Sequence, residues 1–153
     1  VMDKVTVAAE LCLQRSLPGL IAGSALLRPQ DLAQGSYFGG RKAEDGRIAW
    51  RRPAAQIHNL VRAVTRPYPG AFSDTPHGRL RIWRSLQLQG QASGEPALLV
   101  DGNKLLARCG DGGLLRILAA DLDGRILDAD SFRAIIGPRL ALADLQAKEP
   151  LIY

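Results

Sequence analysis

Hydrophobic positions near the N-terminus recur at helical spacing: Val7, Leu11, Leu17, Leu20 and Ile21 fall on one stripe, and Asp3 precedes them as an expected cap. Pro18 interrupts that run, so the pattern predicts a kinked or broken amphipathic arm that stops at Gly23. Residues 24–49 mix Gly, Pro, Ser and charges without a sustained period and read as an extended linker. Linkers of this length are usually functional. The helical period resumes at Pro53, where a first-turn proline loses no backbone bond, and Ile57, Leu60, Val61 and Val64 form its apolar stripe. This second helix is expected to end before Pro67.

From Gly70 onward the period falls to two. Short apolar runs within 79–88, 97–100, 105–109 and 114–118 are separated by Asp101-Gly102, Gly110-Asp111-Gly112-Gly113 and Asp123-Gly124, which supply the positive φ that tight turns need. A short helix is expected around 131–136, capped by Asp130 and stopped by Gly137-Pro138. Five or so strands with one small helix predict a compact open barrel. The fold class is therefore α+β: an N-terminal helical arm and linker, then a small open OB-like β-barrel.

The 153 residues suffice for one domain with an extra arm, and the balance of 46% hydrophobic and 23% charged residues is that of a folded protein rather than a disordered one. The absence of a long apolar run and of a leader pattern makes the cytoplasm the expected location, with no membrane partner. Cys12 and Cys109 lack metal or redox spacing and are expected to be reduced and buried. The charge distribution changes the picture more. Residues 41–84 hold ten Lys/Arg against three acids, a local +7, while the rest of the chain sums to −2. Such a concentration suits an anionic partner, or else a solvated basic face.

Four stretches in order then carry a family likeness: Tyr37-Phe38-Gly39-Gly40-Arg41, Glu44-Asp45-Gly46-Arg47-Ile48-Ala49-Trp50, Ile57-His58-Asn59-Leu60-Val61-Arg62-Ala63-Val64, and Pro67-Tyr68-Pro69-Gly70-Ala71-Phe72. Together they resemble the junction between the catalytic domain and the C-terminal barrel of the methionyl-tRNA formyltransferase superfamily. The likeness continues through Ile82-Trp83 and Cys109-Gly110-Asp111-Gly112. Within the superfamily, Phe38-Gly39, Arg41 and the 57–64 helix most resemble the formyltransferases of the aminoarabinose pathway, which N-formylate UDP-4-amino-4-deoxy-L-arabinose in lipid A modification. Gly40, Lys42 and Ala49 depart from that pattern.

The resemblance implies a division of the chain into 1–50, the tail of a catalytic domain; 51–145, the OB-like C-terminal domain; and a tail at 146–153. It implies a parent enzyme using formyl-tetrahydrofolate, bound by an N-terminal catalytic domain that is itself an expected partner. The Asn-x-His motif and Asp that such an enzyme uses do not occur in this chain, so no catalytic residue is assigned and the chain alone is expected to be inactive. His58 precedes Asn59 on a helix and reads as structural, as do Trp50 and Trp83; His77 sits in a polar turn. The candidate contacts to the UDP-amino sugar are Tyr37 and Phe38, for stacking or pocket closure, Arg41, for a bidentate diphosphate contact, and Lys42, for charge. No metal ligand set is expected. Two rival readings remain: a tRNA-binding C-terminal barrel, which needs only backbone charge, and a non-catalytic OB-like module, which the scarcity of aromatics after residue 84 disfavours.

Overall fold

A computed structural model describes residues 2–37 and 39–142. The chain forms two compact units, Val1–Gly39 and Gly40–Tyr153.

The first unit holds α1 (Met2–Ile21) and a single-turn helix, Leu32–Gln34. Asp3 lies inside the first turn of α1 rather than ahead of it, where its carboxylate still faces the positive end of the helix. The expected break at Pro18 does not occur. A proline this near the C-terminal end removes one ladder bond, and the remaining turn is closed by Ala22 N–H to Pro18 C=O at 3.0 Å. Gly23, at φ +67°, ends the helix as expected. Cys12 is exposed, contrary to the buried thiol expected, because it lies on a helix whose apolar side chains are themselves exposed within this unit.

The second unit begins with a short helical turn, Ala43–Gly46, and α2 (Ala54–Val64). Seven strands follow: β1 (Ala71–Thr75), β2 (Gly78–Gln91), β3 (Ala97–Asp101), β4 (Lys104–Arg108), β5 (Gly113–Leu122), β6 (Arg125–Ile126) and β7 (Arg139–Ala141), with α3 (Ala129–Ile135) between the last two. The strands run antiparallel in the order β1-β2-β5-β4-β3-β7, and β6 pairs with β5. This curled sheet is the small OB-like domain the sequence predicted, with two more strands than the apolar runs suggested. Asp128, not Asp130, caps α3: its carboxylate accepts from Ser131 N–H at 2.8 Å, and the Ser131 hydroxyl accepts from Asp128 N–H at 2.9 Å.

One face of the sheet forms the core. The register aligns Leu98, Ala107 and Leu115 in one row, all essentially inaccessible, and α2 lays Ile57 and Val61 against β2 and β5. Ile48 and Trp50 belong to this same core, so residues assigned from sequence to the preceding segment pack within the barrel unit. Ile48 N–H donates to Phe72 C=O at 2.8 Å, and the Trp50 indole donates to Ser73 Oγ at 3.1 Å, which ties this segment to β1. Gly110 makes the joint possible. A Cβ there would stand 1.9 Å from Arg51 O, and its N–H donates to Trp50 C=O at 2.9 Å.

Pro53 offers no side-chain cap to α2, and the N-terminus is satisfied from 57 residues away instead. Asp111 Oδ1 accepts from Ala54 N–H at 3.2 Å and from Gly113 N–H at 2.9 Å. Thus the Gly110–Gly113 turn both closes a hairpin and caps a distant helix.

Candidate functional site

The residues expected to bind a nucleotide sugar are placed on both units. Tyr37 belongs to the first and is 96% exposed. Phe38 lies outside the described residues. Arg41 and Lys42 belong to the second unit and are exposed; the Lys42 backbone N–H donates to Asp45 Oδ2 at 2.7 Å. Among the described residues neither side chain enters an ion pair.

Two arginines of the same basic stretch are committed elsewhere. Arg47 pairs with Glu44 and, at 3.0 Å, with Asp74; Arg79 reaches Asp74 with Nε at 2.7 Å. Their guanidinium groups lie over the Phe72 ring, 4.7 and 4.4 Å from its centroid. The Arg79 hydrogen bond, seconded by Arg47, holds the Asp74 carboxyl below its ordinary range. This cluster welds the Ala43–Gly46 turn to β1 and β2, so part of the +7 is structural.

A cleft of about 660 Å³ opens in the barrel unit where β5 runs past the end of β4 and toward β6. The register of β2 on β5 slips twice between Ile82 and Ser85, and this bulge presents Trp83 and Arg84 to the cleft. Thr65 Oγ donates to Trp83 C=O at 2.8 Å, tying the end of α2 to the bulge and bringing Arg66 alongside. The Arg66 guanidinium lies 4.8 Å from the Trp83 ring centroid, while the indole N–H donates to Asp121 Oδ2 at 2.6 Å. Lys104 and Arg116 line the same cleft from β4 and β5, with Leu118 and Ile126 as exposed apolar surface.

Sequence reasoning missed this convergence. Arg66 and Arg84 lie inside the charged stretch, but Lys104 and Arg116 fall outside it. Strand pairing is what places Arg116, which pairs with Leu86 on one side and Leu106 on the other.

The remaining candidates have structural partners. His58 Nδ1 is 2.9 Å from Ser85 Oγ at the interface of α2 with β2, and exposed His77 donates its backbone N–H to Thr75 Oγ at 3.2 Å. Trp50 is fully buried, as expected; Trp83 is half-buried and both packs and lines the cleft. Burial, with a smaller contribution from Asp111, pushes the Cys109 thiol up to about 12, which leaves it protonated and inert. Among the described residues no group of His, Cys, Asp or Glu is arranged to hold a metal, and no helix is long and apolar enough to cross a membrane.

The fold and these joints agree with the family comparison. Residues 41–135 match the family described as formyl transferase, C-terminal domain. The chain belongs to that family. Members of the formyltransferase family depend in general on formyl-tetrahydrofolate. The described residues do not fit that cofactor's chemistry. Formyl transfer needs a positioned acid–base group beside the reacting carbonyl, whereas both histidines are engaged elsewhere or exposed, and no buried side-chain polar atom among the described residues lacks a partner. No transfer step is assigned to them.

Proposed function

We propose that this chain is the C-terminal portion of a cytoplasmic, folate-dependent N-formyltransferase that acts on a UDP-amino sugar of the aminoarabinose type. In this reading the part of residues 1–50 that precedes the barrel unit continues a catalytic domain that carries the Asn-x-His motif, the Asp and the formyl-tetrahydrofolate site. The barrel supports that domain. Its contribution to substrate is binding: Arg41 takes the diphosphate, Lys42 adds charge, and Tyr37 and Phe38 stack on or close over the nucleotide sugar. The observation that carries the reading is the family match together with two exposed cations, Arg41 and Lys42, that no described acid neutralises. Buried or committed arginines would favour a purely structural loop.

The test uses the full-length parent with formyl-tetrahydrofolate and two acceptors. Turnover of the UDP-amino sugar is expected, and Arg41→Ala should weaken nucleotide-sugar binding in calorimetry by about tenfold, as loss of one charge-assisted contact does. Turnover of initiator methionyl-tRNA but not of the sugar would replace this reading with that of a tRNA-binding barrel.

A further inference from the structure

The geometry points to a second anion site, distinct from the 37–42 loop: the cleft beside Trp83 binds a small diphosphate-bearing ligand with an apolar or ring-shaped body. Four cations from four different segments converge there, namely Arg66, Arg84, Lys104 and Arg116. Among the described residues none of the four enters an ion pair. The two acids on the cleft wall are already occupied. Asp121 accepts from the Trp83 indole, from Gly124 N–H at 2.8 Å and from Arg81 at 3.5 Å, and Asp128 caps α3. The four positive charges around this concavity outnumber the two carboxylates on its wall, one of which already faces Arg81, and a bound anion would offset the excess.

The shape and lining narrow the class of anion. A volume of about 660 Å³ lies within the range of small-molecule sites and suits a nucleotide-sized ligand. Leu118, 43% exposed, and Ile126, 85% exposed, add apolar surface that inorganic phosphate alone would leave unused. The site is also partly preorganised, because the bulge and the Thr65 bond fix Trp83, and the indole in turn holds the Arg66 guanidinium at 4.8 Å. A polynucleotide backbone fits less well. Arg47 and Arg79, which would extend a basic track, are spent on Asp74.

Calorimetric titration of the 153-residue chain with UDP, ADP and inorganic pyrophosphate tests the assignment. Both nucleotides should bind, and pyrophosphate more weakly. Arg84→Ala and Arg116→Ala should each lose about tenfold in affinity, whereas Arg139→Ala, at an exposed position of β7 outside the cleft, should lose none. Should either cleft variant fail to fold, the wild-type chain still decides: nucleotide should shift the Trp83 indole N–H resonance and leave that of buried Trp50 in place. No binding at millimolar nucleotide, or binding of duplex RNA alone, would overturn the proposal. Loss of nucleotide binding in Arg41→Ala with both cleft variants unaffected would also overturn it, while leaving the 37–42 loop reading intact.

Discussion

The arm and the barrel differ in what their apolar residues do. In α1, Val5, Val7, Leu11, Leu13, Leu17, Leu20 and Ile21 are all more than 40% exposed, whereas in the barrel unit Trp50, Ile82, Leu115 and Phe132 are fully buried. Both segments satisfy the helical or strand period that predicts amphipathic structure. A period therefore reports that a face exists and leaves open what covers it. In the barrel the cover is supplied by residues distant in sequence, as when Asp111 caps α2 or Ser73 receives the Trp50 indole.

This contrast is most sharply tested by truncation. Trp50→Ala should destabilise the barrel by about 3–5 kcal/mol, while Leu11→Ala in the arm should change the stability of the same chain by less than about 0.5 kcal/mol. Chemical denaturation monitored by circular dichroism measures both. Equal losses would show that the arm is integrated into the barrel's cooperative core. Next in size is the long-range cap: Asp111→Ala should cost about 1 kcal/mol through loss of its bonds to Ala54 and Gly113. A neutral result would mean that water satisfies the α2 N-terminus equally well.

The smallest expected effect is a pH dependence. Asp74 has its folded pKa lowered, so its pairs with Arg79 and Arg47 stabilise the native state above the ordinary carboxylate value of 3.8. That contribution disappears as pH falls through the lowered value. Wild type and Asp74→Asn should accordingly differ in stability at neutral pH and converge in acid. A difference independent of pH would assign the effect to packing of the guanidinium groups on Phe72 rather than to charge.

How far the sequence could be read depends on how local the determinants are. The α2 stripe of Ile57, Leu60, Val61 and Val64, the Gly23 stop and the glycine-marked hairpins are set within a few residues, and all stand as expected. Pro18 does not break the helix, because its cost depends on where it falls rather than on its presence. Asp130 was expected to cap α3, but the reciprocal bonds with Ser131 give that place to Asp128. The cleft was illegible for a different reason. It depends on a β2 bulge and on side chains spread over fifty residues, from Arg66 to Arg116, so neither charge clustering nor motif spacing brings Arg66, Arg84, Lys104 and Arg116 together.

The proposed function implies a division of labour in which this chain folds and binds while the transfer chemistry resides outside it. Incubating the purified 153-residue chain with formyl-tetrahydrofolate and a UDP-amino sugar, and following formylated product by mass spectrometry, tests that claim most directly. No product above the uncatalysed background is expected, with activity only in the full-length parent; catalytic turnover by the 153-residue chain itself would contradict that division.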